Sequence, residues 1–262
     1  MQLETVTKEP RSNPRPTPVL FIHGAFHGAW CWTEHFLPYF AEHGYTSHAL
    51  SLRGHGDSEG RERLRRTRIA DYVADVEQVV GELPQTPILV GHSMGGLIVE
   101  KYLEKHPAPA GVLLAPVPVR GIRRTTTRIA LRHPIAFLKA NLTWSLYPII
   151  GTPSLAGEAF FSPDMPTEMR NSYFSRLQDE SYFANLDMLA LNLPSPKKVD
   201  VPLLVLGAES DFMFSRSEVE ATAKAYKTQA EFFPNMAHDM MLEAGWQSVA
   251  DRILRWLEDR GL

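Results

Sequence analysis

Short apolar runs alternate with amphipathic segments along most of this chain. Nearly continuous apolar runs are typical of strands that are covered on both faces of a parallel sheet. The strands predicted in this way are residues 18–22, 45–52, 87–90, 110–115, 201–206 and 230–233. Helices are predicted between them, most clearly over 69–83, from Ser217, which has Glu220 at capping-box spacing, and over 246–261. This alternation indicates an α/β fold, with a mostly parallel sheet and helices on both of its faces.

Two segments do not follow this alternation. Residues 1–17 are polar and rich in proline, and we predict a loose arm without a secretory signal. Residues 120–195 are rich in aromatic residues and methionine. Because a structureless loop of that length is improbable inside a compact domain, we predict an inserted helical cap there. The predicted organisation is a core of residues 1–119 and 196–262 with a cap, or lid, of residues 120–195.

The composition is that of an ordinary globular protein, with 44% apolar and 22% charged residues. The net charge of −3 favours no particular partner, and we expect no nucleic-acid binding. No run of about 18 apolar residues is present, so we expect no stable insertion into a membrane. The single cysteine, Cys31, rules out an intrachain disulfide and fits a reducing compartment. We therefore expect a cytoplasmic protein.

The sequence Gly91-His92-Ser93-Met94-Gly95 lies between a predicted strand and a helix-compatible run. A serine at the apex of such a turn is held in a strained backbone, and the turn packs so closely that its neighbours must lack side chains. The turn lifts the serine hydroxyl above the sheet and directs the first free N–H groups of the helix toward the group that it attacks. Ser93 is therefore the candidate nucleophile.

A serine nucleophile needs a base to take its proton, and the base needs an orienting acid. His238 is the best candidate base among ten histidines, because it lies in the loop after the last predicted strand. Asp211 is the best candidate acid, because it follows a buried strand in a short turn. Glu209 and Asp239 compete for the acid role, but Glu209 is closer to the strand and Asp239 adjoins the base too closely to face its ring. The order serine, aspartate, histidine is found for this arrangement on an α/β sheet.

The negative charge that develops on the substrate oxygen needs two N–H donors, each about 3 Å away. We assign them to the backbone of Met94, which follows the nucleophile, and of Ala25, in the loop after the first strand. Ligand pockets are mostly apolar, so we expect Phe26, Trp144 and Phe212 to contact the substrate.

We expect neither a metal ion nor a cofactor. His23, His27, His55 and Cys31 do not have the spacing of a zinc site. Cys31 stands between two tryptophans and is predicted to be a small core residue.

Taken together, these motifs resemble the α/β-hydrolase superfamily. The likeness rests on the His23-Gly24 loop, the glycine-flanked turn at Ser93, the strand that ends before Asp211, and the late His238. It covers about residues 18–118 and 197–262. The resemblance implies the α/β-hydrolase fold. It also implies that Ser93 is the nucleophile, Asp211 the acid and His238 the base, with Ala25 and Met94 as the oxyanion donors.

Two loops resemble different branches of this superfamily. Residues 23–30, His-Gly-Ala-Phe-His-Gly-Ala-Trp, are similar to the methylesterase and hydroxynitrile-lyase branch. Residues 53–58, Arg-Gly-His-Gly-Asp-Ser, resemble the monoglyceride-lipase and lysophospholipase branch. The dehalogenase and epoxide-hydrolase branches use an aspartate nucleophile, so the serine at position 93 disfavours them. The resemblance therefore leaves the substrate open.

The expected function is that of a serine hydrolase that cleaves carboxylic esters of fairly apolar small molecules through an acyl-enzyme, as a carboxylesterase, lipase or lysophospholipase does. One alternative is other chemistry in the same site, either carbon–carbon bond hydrolysis or hydroxynitrile cleavage. The lyase branch requires a cationic cap residue near the serine, and Lys139 is the only lysine in the predicted cap. The other alternative is a non-catalytic ligand receptor. The oligomeric state is not predicted.

A basic run without any acidic residue opens the predicted cap. It contains Arg120, Arg123, Arg124, Arg128, Arg132 and Lys139. A solvated helix face would account for this run, and attraction of an anionic substrate or lipid surface is the alternative.

Overall fold

Seven strands form a single sheet in the computed structural model, which describes residues 1–262. They are β1 (Thr5–Lys8), β2 (Val19–Ile22), β3 (Ser47–Leu50), β4 (Ile88–His92), β5 (Gly111–Leu114), β6 (Leu203–Ala208) and β7 (Ala230–Phe233). Their order in the sheet is β1-β3-β2-β4-β5-β6-β7, and every neighbouring pair is parallel except β1 and β3. The predicted α/β fold with a mostly parallel sheet is confirmed.

The prediction of a loose arm over residues 1–17 is wrong where β1 forms. This strand is antiparallel to β3, with Thr5 opposite Leu50 and Lys8 opposite Ser47. Its β-branched residues favour an extended backbone. Because β1 is an edge strand without a buried residue, it lacks the apolar run that identifies the other strands. Lys8 places a charge on the exposed edge, which is a common protection against pairing with other chains.

Eleven α-helices accompany the sheet. They are α1 (Trp30–Thr33), α2 (Phe36–Glu42), α3 (Ile69–Glu82), α4 (Met94–Leu103), α5 (Arg123–Arg132), α6 (Pro134–Thr143), α7 (Pro153–Phe160), α8 (Thr167–Phe174), α9 (Tyr182–Leu186), α10 (Arg216–Ala225) and α11 (Trp246–Glu258). None of them has both the length and the apolar character needed to span a lipid bilayer. Helices α5 to α9 lie between β5 and β6 in the chain, where the cap was expected. The domain boundaries at 120 and 195 stay a prediction.

The start of α10 differs from the prediction by two residues. The structure has its capping box at Ser215 and Glu218, so the helix begins at Arg216 instead of after Ser217. Ser215 and Ser217 each have a glutamate three positions later, so the sequence pattern alone does not show which serine caps the helix. Glu220 instead pairs with Arg216 one turn earlier on the exposed helix surface.

The core has one layer on each face of the sheet. Val19 and Phe21 of β2 belong to one buried cluster, and Leu20 and Ile22 belong to the other. Successive residues of a strand point to opposite faces, so a strand with both faces covered must be apolar throughout. This is why the short apolar runs located the central strands.

Helix α4 approaches the sheet very closely. A Cβ at Gly95 would lie 2.6 Å from the carbonyl oxygen of His23, and a Cβ at Gly96 would lie 2.9 Å from the Cβ of Pro116. Only residues without side chains allow this approach. This close packing of α4 against the sheet places the N-terminus of the helix, and with it Ser93, beside the loop that follows β2.

We predict that Gly95→Ala lowers the free energy of unfolding by about 2 kcal/mol, because the added methyl group overlaps backbone that cannot move freely. Gly81→Ala is the matched control, since a Cβ at this position in α3 meets nothing within 4 Å. We expect that change to raise stability by about 0.5–1 kcal/mol. Urea unfolding of both variants measures the difference, and equal effects would contradict the packing argument.

Candidate active site

Ser93 occupies the single residue between β4 and α4. Its backbone has φ 53° and ψ −116°, which a side-chain-bearing residue rarely adopts. Four main-chain hydrogen bonds hold it there: Ser93 N–H donates to the Leu114 carbonyl at 3.0 Å, and the Ser93 carbonyl accepts from the N–H groups of Gly96 at 3.0 Å, Val117 at 3.1 Å and Leu97 at 3.4 Å. The hydroxyl therefore stands at the carboxyl end of the sheet, where ligands of α/β folds bind.

The structure brings His238 and Asp211 together with Ser93. His238 Nε2 lies 2.9 Å from the Ser93 hydroxyl oxygen, and its Nδ1 lies 2.8 Å from Asp211 Oδ2. A carboxylate can only accept, so Nδ1 carries the proton and Nε2 is left to accept from the serine hydroxyl. Phe214 packs edge-on against the imidazole, with 5.2 Å between ring centroids. This tautomer is the one that a general base needs.

Asp211 is oriented by the turn that follows β6. Its Oδ1 accepts the N–H groups of Met213 at 2.6 Å and Phe214 at 3.1 Å, which leaves Oδ2 for the histidine. The competing acids lie elsewhere. Glu209 pairs with Arg216 on the surface, and Asp239 pairs with His27.

The electrostatics around His238 favour a protonated ring. Burial opposes the imidazolium, but the Asp211 and Asp239 carboxylates together favour it more strongly, so the pKa of His238 is raised above the ordinary 6.5. His92, whose ring lies 4.7 Å from that of His238, behaves in the opposite way. Burial, helped by the neighbouring His238, lowers the pKa of His92 to about 3, so this ring stays neutral and donates from Nε2 to the His238 carbonyl.

The loop after β2 contributes the second candidate oxyanion donor. A Cβ at Gly24 would lie 3.0 Å from the Cβ of Ser93, so glycine lets this loop pass directly over the serine. Ala25 and Met94 both line the cavity next to Ser93, and neither backbone N–H has a protein acceptor. These two N–H groups remain available to a substrate oxygen.

A buried ion pair connects this loop to the loop that contains His238. The His27 ring donates from Nδ1 to the carbonyl of Ala25 at 2.7 Å and from Nε2 to Asp239 at 2.9 Å. Both partners accept only, so the imidazole must carry both protons. Burial raises the pKa of Asp239, but His27, His92 and His238 together lower it by more, so the carboxylate is ionised. The sequence suggested Asp239 only as a competing orienting acid, and no local pattern indicates its pairing with His27.

Glu180 makes a second connection to the same loop, from the segment between α8 and α9. Its fully buried carboxylate accepts from Tyr72 at 2.6 Å, from His55 at 3.1 Å and from the Phe26 N–H at 3.4 Å. Burial raises the pKa of Glu180, but His55, Tyr72 and the Ser181 N–H together lower it by more. Gln178 N–H also donates to the Phe26 carbonyl at 3.0 Å. No sequence motif identified Glu180, because an acid in an aromatic-rich segment looks like an ordinary surface residue.

An apolar cavity of about 170 Å³ lies next to Ser93. Helices α5, α6, α7 and α9 supply most of its far wall, with residues that include Ile129, Phe137, Ala140, Leu155 and Leu186.

Two of the three expected substrate contacts lie in this cavity, since Phe26 and Phe212 line it. The third is a correction: Trp144 lies outside the lining, with its ring half-exposed and stacked on Tyr182 at 5.8 Å. Trp144 is the C-cap of α6 and has a left-handed backbone with φ 53°.

No cluster of three or more His, Cys, Asp or Glu side chains is arranged to hold a metal ion. Cys31 is fully buried, and burial raises the pKa of its thiol well above the usual value. Its packing is that of a core residue.

We predict that Asp239→Asn lowers the free energy of unfolding by about 3 kcal/mol, because it leaves the buried His27 imidazolium without its partner. His27→Phe should destabilise the fold comparably by leaving the carboxylate unpaired. The double variant should lose at least about 1 kcal/mol less than the sum of the two single losses.

Urea unfolding of the three variants completes this cycle. Glu209→Gln is the control, since it breaks an exposed pair and should change stability by less than about 0.5 kcal/mol. Strictly additive losses at positions 27 and 239 would contradict the ion pair.

Known proteins with related sequences and structures include ester hydrolases. Methylesterase 3 from Arabidopsis thaliana is 31% identical over 96 residues, 36% of this chain and 36% of that protein, so the match spans about a third of its length. A monoacylglycerol lipase from Mycolicibacterium smegmatis is 24% identical over 261 residues, 95% of this chain and 90% of that protein. The fold is similar to that of a putative non-heme bromoperoxidase from Mycobacterium tuberculosis H37Rv, with a TM-score of 0.80, 19% identity, and coverage of 99% of this chain and 97% of that one. The model of the Alpha/beta hydrolase family matches residues 19–252, and this chain belongs to that family.

Proposed function

We propose that this member of the family is a serine hydrolase that cleaves carboxylic esters of apolar small molecules without a cofactor. The observation that carries the proposal is the hydrogen-bonded chain from Ser93 through His238 to Asp211 beside an apolar cavity. The relatives support the same reaction class, since a monoacylglycerol lipase and a methylesterase are both named for ester substrates.

In the proposed mechanism, Ser93 attacks the ester carbonyl while His238 Nε2 takes its proton. The backbone N–H groups of Ala25 and Met94 bind the oxyanion that forms. His238 then gives the proton to the departing alkoxide, which leaves as the alcohol. The acyl group stays bonded to Ser93 as an acyl-serine. A water molecule, deprotonated by the same ring, attacks the acyl group, and the acid is released with Ser93 restored. Asp211 holds the imidazole in the required tautomer and stabilises the imidazolium.

The cavity supports an apolar substrate. Most of its lining is hydrophobic, and no lysine or arginine is among the lining residues. An uncharged acyl or alcohol group would therefore fit better than an ionised one, because the only charged partners for a buried charge there would be those of the His133 and Glu158 pair in the cavity wall.

The alternatives lack a comparable observation. Hydroxynitrile cleavage would need a cation near the serine, but Lys139 is exposed and lies outside the cavity lining. A non-catalytic receptor would not require the complete serine, histidine and aspartate geometry. A cytoplasmic location stays part of the proposal, supported by the free, buried Cys31.

We predict that Ser93→Ala lowers kcat/KM for p-nitrophenyl butyrate by about 10⁴-fold, because the three residues act as one unit. The same change should abolish covalent labelling by a fluorophosphonate. Ser145→Ala is the matched control, since this residue has the same exposed fraction of 8% as Ser93 and its hydroxyl makes no hydrogen bond to the protein. Near-normal hydrolysis or labelling by the Ser93 variant would overturn the assignment of the nucleophile.

We predict that kcat/KM rises with acyl length from the acetyl to the hexanoyl p-nitrophenyl ester. Each added methylene that enters the cavity is worth about 0.8 kcal/mol, or up to about fourfold in rate. Alkaline hydrolysis of the same esters controls for their intrinsic reactivity. A flat or falling series would show that the acyl group does not occupy the apolar cavity.

A further inference from the structure

Helix α6 and the end of α5 expose large apolar side chains to solvent. Leu131, Ile135, Leu138 and Leu142 have exposed fractions of 79%, 71%, 58% and 74%. Ile135, Leu138 and Leu142 are spaced three and four residues apart and so share one face of α6, while Leu131 lies near the end of α5, just before the two helices meet at His133. These four residues are named here the α6 stripe. Single exposed apolar residues are common on protein surfaces, but several large ones on and next to one helix face indicate an interaction surface.

The opposite face of the same helix belongs to the cavity wall. Phe137, Ala140 and Asn141 line the cavity next to Ser93, and Ala140 is fully buried. Helix α6 is therefore apolar on two faces, one toward the cavity and one toward solvent. The fold explains the inner face, and nothing within this chain covers the outer one.

The charge around the α6 stripe is strongly positive. Residues 120–139 hold six lysines and arginines and no acidic residue, while the whole chain has a net charge of −3, so the rest of the chain carries −9. Arg124 is exposed seven residues before Leu131, on the same side of α5, and exposed Lys139 borders Ile135 and Leu142 on α6. Arg128 and Arg132 instead use their guanidinium groups on the Phe212 carbonyl and on Glu158.

We propose that the α6 stripe and its basic border dock this protein onto an anionic lipid surface. An apolar helix face bordered by lysine and arginine binds in the interfacial plane of such a surface, by apolar burial together with attraction to the headgroups. The stripe along α6 spans about 10 Å, so the contact is shallow and reversible. Docking would bring the wall of the cavity against the lipid.

Charge complementarity favours lipid over a second copy of this chain. A two-fold contact through the stripe would place the same basic residues of both copies against each other, with no acidic residue in 120–139 to offset them. An anionic surface supplies the opposite charge that this border lacks.

The test is co-sedimentation of the full chain with vesicles of phosphatidylcholine alone, or with about 30% phosphatidylglycerol. We expect at least tenfold stronger partitioning to the anionic vesicles in 50 mM salt, and a marked fall in 500 mM salt because the charges are screened. The triple variant Ile135→Ser, Leu138→Ser, Leu142→Ser should lose at least tenfold in partitioning. The pair Arg124→Glu, Lys139→Glu should lose at least tenfold on anionic vesicles only.

Two variants match these changes elsewhere on the surface. Leu191→Ser removes a side chain that is 65% exposed but outside the α6 stripe, and Arg63→Glu, Arg65→Glu makes the same change in net charge on another exposed segment. Both should bind like the parent protein. Ser93→Ala should also bind normally, so docking and hydrolysis are tested separately. Thermal unfolding of every variant excludes loss of the fold as the cause.

Three results would overturn the proposal. One is equal partitioning of the parent protein to neutral and anionic vesicles, or no partitioning to either. Another is undiminished binding by the triple serine variant. The third is a parent protein that is dimeric by light scattering, becomes monomeric in the triple variant and does not bind vesicles, which would assign the α6 stripe to a second copy.

Discussion

The strained backbone at Ser93 is the constraint on which the rest of the site depends. A residue with a side chain and φ of 53° is disfavoured, and it persists only because the surroundings determine its position. The Ser93 N–H donates to the carbonyl of Leu114 in β5. The Ser93 carbonyl accepts from N–H groups of α4 and of the chain after β5. The close approach at Gly95 fixes the helix against β2. As a result, the Ser93 hydroxyl and the Met94 N–H are placed together by main-chain geometry, without support from flexible side chains.

The loop that follows β2 has no such framework and is held by buried charges. His27 bonds to the Ala25 carbonyl and to Asp239, next to His238 in the chain. Glu180, from the segment between α8 and α9, accepts from the Phe26 N–H of the same peptide group. The loop with the candidate oxyanion donor is thus bonded both to the loop that contains His238 and to the segment between α8 and α9. Loss of either buried partner would disturb donor geometry and stability together.

The sequence predicted the features that follow from local rules. Strands buried on both faces must be apolar, and a serine turn that packs against its neighbours needs glycine at positions 91 and 95, so both were visible as patterns. The position of His238 late in the chain was enough to select it. The edge strand β1 was missed because half-exposed strands have no apolar run, and Trp144 was misplaced because its direction depends on a left-handed turn after α6. The partners of Asp239 and Glu180 are more than 100 residues away in the chain, and no local pattern encodes such contacts.

The most direct measurement is a crystal structure of the protein after reaction with a fluorophosphonate, whose tetrahedral phosphorus resembles the intermediate of ester hydrolysis. The account predicts phosphorus bonded to the Ser93 hydroxyl oxygen, with the phosphoryl oxygen about 2.7–3.1 Å from the backbone nitrogens of both Ala25 and Met94. The alkyl group should lie in the apolar cavity. A label on any other residue, or a phosphoryl oxygen directed away from those two nitrogens, would contradict the account.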